Sequence, residues 1–77
     1  MYAFGRVMRR LISQHGVTQA DIVRETGIGK QNVSWLCKGK TQYPSIQTCK
    51  LIATFFGLTL DELYALIEAE EQHGPQE

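Results

Sequence analysis

Gln31, Trp35 and Lys38 recur at i, i+4 and i+7, the spacing that sets three side chains in one row on a helix. Lys30 and Ser34 join them on that side if Val33, Leu36 and Cys37, at i, i+3 and i+4, supply the inward face. These residue types suit the edges of base pairs. Glutamine bonds adenine through both ends of its amide, and lysine reaches O6 and N7 of guanine. An indole packs against a thymine methyl or a sugar. A large apolar ring on the wet side of a short helix marks a contact surface; the alternative lays Trp35 back over the following loop as a cover for the core. Two further groups flank the row. Thr18 and Gln19 open a preceding helix, whose free N–H groups and partial positive charge suit a phosphate, and Gln19 adds a side-chain donor. Lys38, Lys40, Thr41 and Tyr43 follow the row and offer a second phosphate run; for Lys38 and Lys40 the alternative is an ordinary solvated surface. Phosphate contacts fix register, while the row reads sequence.

The elements that position these residues follow from periodicity and caps. Phe4, Val7, Met8, Leu11 and Ile12 form one apolar stripe and predict a helix from about Tyr2 to His15, ended by Gly16, with Arg6, Arg9 and Arg10 on its wet side. Thr18-x-x-Asp21 has capping-box spacing and starts a second helix, with Ile22 and Val23 inward and Gly27 as its C-cap. Gly27-Ile28-Gly29 is a turn, and a third helix spans about Lys30 to Lys38, stopped by Gly39. The segment Thr18 to Gly39 therefore has the outline of a helix-turn-helix. Tyr43-Pro44 punctuates a loop. Ser45 caps a fourth helix with Ile46, Cys49, Ile52, Ala53 and Phe56 inward, closed by Gly57. Thr59-Leu60-Asp61-Glu62 is a second capping box, opening a fifth helix from about Leu60 to Glu70. No strand pattern, repeat or low-complexity stretch interrupts this order. The expectation is an all-α, five-helix bundle over residues 1–71 and a disordered tail over 72–77.

Seventy-seven residues, 43% of them hydrophobic and 21% charged, describe one soluble domain. No apolar run approaches the ~18 residues of a membrane span, and the arginine-broken start is no signal peptide, so a cytoplasmic location and no membrane association are expected. Cys37 and Cys49 lack C-x-x-C partners, and His15 and His73 lie far apart, which argues for buried reduced thiols, no metal and no cofactor. The zero net charge conceals an asymmetry. Residues 1–50 hold all eight basic residues against Asp21 and Glu25, for +6, and residues 51–77 carry −6. That division suggests one face for a polyanion and one acidic end held away from it; uneven charge on a solvated surface is the alternative.

From about Val7 to Leu66 the chain resembles the lambda-type repressor and Cro family, or XRE-type helix-turn-helix regulators. Thr18-Gln19-Ala20-Asp21, Gly27, Val33, Leu36, Gly39-Lys40, Pro44-Ser45-Ile46, Ile52-Ala53, Gly57-Leu58 and Leu60-Asp61-Glu62-Leu63 carry the likeness. It implies a compact, lambda-repressor-like bundle of about five helices. It implies that Gln19 clamps a phosphate, that Lys30, Gln31, Ser34 and Trp35 face base edges or sugars, and that Lys38 to Tyr43 follow the backbone. It also implies a homodimer on a palindromic double-stranded DNA operator. The chain departs from the family at Val23, where alanine is usual, at Cys49, where leucine is common, and at Trp35, rare on a reading face.

The leading expectation is a sequence-specific DNA-binding regulator, a phage or bacterial repressor. A second is an antitoxin or other protein-binding regulator that meets its partner through helix 60–70, on a stripe of Leu60, Leu63, Tyr64 and Ile67 with Leu66 beside it. An enzyme is not expected: there is no Gly-rich phosphate loop and no nucleophile with a base.

Overall fold

The computed structural model describes residues 1–73. They fold into α1 (Ala3–His15), α2 (Gln19–Thr26), α3 (Lys30–Cys37), α4 (Ile46–Phe55) and α5 (Leu60–His73), with no strand among the described residues. The all-α, five-helix expectation holds. Each start signal does its expected work. Thr18 accepts the Asp21 N–H at 3.1 Å, and the Asp21 carboxylate accepts the Thr18 N–H at 2.9 Å. Thr59 and Glu62 repeat the arrangement at 3.1 and 2.8 Å, and the Ser45 hydroxyl accepts the Thr48 N–H at 3.2 Å. Each cap satisfies donors that a helix start leaves open.

The core is sealed by Phe4, Val7 and Met8 of α1, Ile22 of α2, Val33 of α3, Cys49 and Ile52 of α4, and Leu63 and Ile67 of α5. Burying a side chain of this size contributes about 1.5–3 kcal/mol each. α1 lies against α5 and α3, and α2 against α3 and α4, so α3 is braced from two sides. The α2–α3 corner depends on Gly27, which adopts φ 78° and returns its N–H to Val23 O at 2.9 Å. A side chain there would be strained.

Several expectations need correction. Ile46 does not face inward; it is 63% exposed, whereas Cys49, Ile52, Ala53 and Phe56 are buried as expected. Spacing put Ile46 on their stripe, but at the start of α4 no described residue covers it. Ile28, read as a turn residue, is a core residue. The turn folds inward around it: Thr26 donates its hydroxyl to Ile22 O at 2.6 Å and accepts the Ile28 N–H at 3.2 Å. Val23 lies half-buried at the core margin rather than inside it. α5 continues to His73, so 72 and 73 are helical, and the remainder of the expected tail, 74–77, lies outside the described residues. The α5 stripe is spent within the chain: Leu63 and Ile67 are fully buried, and Leu60, Tyr64 and Leu66 pack against the core. Cys37 and Cys49 are buried free thiols, and burial pushes both thiol pKa values up. Cys49 fills its site, with its sulfur 3.8 Å from Pro44 O.

Candidate nucleic-acid interface

Eight residues of α3 divide cleanly between inside and outside. Val33, Leu36 and Cys37 are buried, while Lys30, Gln31, Asn32 and Trp35 are exposed and Ser34 is half-buried. The inward trio fixes the rotation of the helix, and that rotation holds the outer row in place. Trp35 is 42% exposed. It lines a notch of about 150 Å³ with Asn32, Leu36, Thr41, Pro44 and Thr48. The side chain thus borders the α3–α4 loop while part of it stays in solvent.

Thr18 and Gln19 are both exposed at the start of α2. The capping box engages the N–H groups of Thr18 and Asp21, so those of Gln19 and Ala20 remain to meet an anion. The Thr18 oxygen accepts a bond, and its own proton is still available to donate. Asp21 is the acidic neighbour of this site. The Thr18 backbone N–H, followed by Arg24, holds its carboxyl below the ordinary aspartate range. Arg24 Nη2 lies 2.7 Å from Asp21 Oδ1 and offsets that charge. A cleft of about 280 Å³, lined by Gln19, Ala20, Val23, Arg24 and Lys30, joins the α2 start to the α3 row.

Beyond α3, Lys38 and Lys40 are exposed and Thr41 is half-buried. Lys30, Lys38 and Lys40 carry no ion pair among the described residues. Their segment is fixed by backbone: Lys40 N–H donates to Trp35 O at 3.2 Å and Tyr2 N–H to Gly39 O at 2.9 Å. Tyr43 is exposed but turned toward α5, where its hydroxyl donates to Glu71 at 2.6 Å. That bond, with the charges of Glu71 and Glu68, raises the phenol pKa, so the group stays a neutral donor.

The acidic end of the chain packs against part of the basic one. Glu70 reaches back to α1 and meets Arg6 at 2.7 Å and Arg10 at 2.6 Å. Two of the three α1 arginines therefore share one carboxylate, which offsets a single positive charge of the pair. Sequence reasoning also missed two residues beside the row. Asn32 is an exposed amide three positions before Trp35 on α3; an Asn at that spacing was the available signal. Arg9 donates from Nε to Cys37 O at 3.1 Å, and nothing in the sequence announces that pairing.

Comparison with known proteins agrees with this geometry. The chain is 32% identical over 50 residues to an uncharacterized HTH-type transcriptional regulator of Methanocaldococcus jannaschii, an alignment covering 65% of this chain and 74% of that protein. No solved structure matches significantly. The profile of the Cro/C1-type HTH DNA-binding domain matches residues 7–69. A match over most of the chain, with α2 and α3 at its centre, settles the family: the chain belongs to the Cro/C1-type helix-turn-helix DNA-binding domains.

Proposed function

We propose that the protein is a sequence-specific transcriptional repressor that reads double-stranded DNA with α3. The observation that carries this reading is the shared exposure of Lys30, Gln31 and Trp35 opposite a buried Val33, Leu36 and Cys37, beside Lys38 and Lys40, which carry no ion pair among the described residues. α3 enters the major groove, where Gln31 and Lys30 meet base edges and Ser34 and Trp35 meet edges or sugars. Thr18 and Gln19 hold one phosphate through the α2 start, and Lys38, Lys40 and Thr41 track the backbone beyond. Tyr43 joins them only by exchanging Glu71 for a phosphate. A homodimer on a palindromic site sets the half-sites about 34 Å apart, and its occupancy excludes polymerase. The regulator named in M. jannaschii supports the transcriptional role.

The α5 stripe could be buried in the chain's own core, pair with a second copy or meet a toxin, and the burial of Leu63 and Ile67 supports the first of these over the antitoxin reading. Selection from random duplexes, followed by sequencing and band-shift titration, tests the proposal. An enriched motif with two-fold symmetry is the expected result. Equal binding to all duplexes would leave a non-specific binder.

A further inference from the structure

We infer that Arg9 is a third cation of the phosphate-binding rim, held ready by the end of the reading helix itself. The inference rests on the DNA-binding reading and extends the rim to a helix outside the helix-turn-helix. α1 crosses the end of α3 at very close range. A Cβ on Gly5 would lie 2.5 Å from Gly39 Cα, so the two backbones touch. Arg9 sits one turn after Gly5 on the same face of α1. Its Nε donates to Cys37 O, the last carbonyl of α3, at 3.1 Å. Both Nη groups are left without a partner among the described residues, and the side chain belongs to an exposed residue.

Three physical consequences follow. The anchor places a guanidinium on the carbonyl of Cys37, the residue that precedes Lys38. The cation cancels the partial negative charge at the α3 C-terminus, which otherwise repels an approaching phosphate. The free edge of a guanidinium presents paired donors that match two phosphate oxygens, in a geometry lysine lacks. Arg6 and Arg10 differ from Arg9 in this respect, because Glu70 occupies both.

The test compares salt dependence of duplex binding for wild type, Arg9→Gln, Arg9→Lys and Lys40→Ala, using one enriched and one scrambled duplex. Arg9→Gln is expected to lower the slope of log K against log salt by about one unit and to weaken both duplexes about tenfold at ~0.1 M salt, as Lys40→Ala does. Arg9→Lys is expected to keep the slope. A purely structural Arg9 would lower thermal stability in Arg9→Gln and leave the slope at the wild-type value, which overturns the inference. Titration of the wild-type protein, followed by the Arg9 Nε–H resonance, gives a readout that does not depend on a folded variant. A resonance that shifts with duplex supports the contact, and an unmoved one refutes it. Wild type that binds no duplex at low salt removes the DNA-binding reading and this inference together; wild type that binds while Arg9→Gln keeps its slope removes the inference alone.

Discussion

Arg6 and Arg10 meet Glu70 at 2.7 and 2.6 Å in the α1–α5 seam, whereas Lys30, Lys38 and Lys40 around α3 meet no carboxylate among the described residues. Both α1 and the α3 surroundings are basic in sequence. In the seam the fold engages the charge and offsets half of it: Glu70 keeps only 14% of its side chain exposed and bridges two arginines at once. At the rim the charge stays in water, at a solvation cost to any anion that is small. A polyanion gains most where cations lack internal partners, because each phosphate contact there releases counterions without first breaking an ion pair. Pairing, rather than the count of basic residues, locates the surface.

The strongest way to break the comparison is from inside the seam. Leu63 on α5 is fully buried, and Leu63→Ala should cost about 2–5 kcal/mol of unfolding free energy in a denaturant titration. The duplex affinity of the fraction that remains folded should be unchanged, since Leu63 touches the core and not the rim. A smaller loss, below about 1 kcal/mol, would mean that α5 is not the bracing element it is here. The rim is tested next by Gln31→Ala. It should weaken the enriched duplex by ~1–3 kcal/mol and leave scrambled duplexes nearly unaffected. Equal losses on both would assign Gln31 to the backbone and not to base edges.

The contrast between seam and rim also marks what the sequence disclosed. Helix starts were legible because caps are local: Thr18 with Asp21, Thr59 with Glu62, and Ser45 each act within three residues. The outer row of α3 was legible because Val33, Leu36 and Cys37 fix its rotation by spacing alone. Ile46 and Ile28 were misplaced for the converse reason. Periodicity says which residues share a face, but only a neighbouring element decides whether that face is covered. The bonds of Glu70 and Glu71 join residues 28 to 64 positions apart, and no local pattern encodes them. Charge summed by halves therefore overstated the basic surface and understated the self-neutralised one.

Glu70→Gln opens the seam electrostatically. The bonds from Arg6 and then Arg10 hold the Glu70 carboxyl below the ordinary glutamate range. A depressed folded pKa means that the stabilisation is present above the unfolded value and is lost as pH falls through the folded one. Both arginines keep contact with water, so the loss at neutral pH should be only about 1 kcal/mol. The wild-type and Glu70→Gln unfolding curves should converge only as pH falls below the ordinary glutamate range and through the depressed folded pKa. Curves that stay parallel through acid would show that Glu70 acts by packing instead. The freed arginines should leave the salt slope of duplex binding unchanged if the seam stands off the DNA; a steeper slope would place it at the backbone.

Tyr43 belongs by sequence to the rim and by contact to the seam, so Tyr43→Phe gives the smallest effect and the finest division. The substitution keeps the exposed ring and deletes the hydroxyl that donates to Glu71 at 2.6 Å. When DNA binds, that hydroxyl at best trades a carboxylate for a phosphate, two acceptors of like charge, and an exchange of equivalent hydrogen bonds contributes little net free energy. Affinity for any duplex should then change by less than about 1 kcal/mol. Glu71 keeps the same charge but loses the donor that screens it, so the small change should be a weakening that grows as salt is lowered. A weakening of about tenfold that does not respond to salt would instead make the hydroxyl a direct phosphate donor and return Tyr43 to the rim. Binding that tightens would show that the Glu71 bond holds the loop away from DNA.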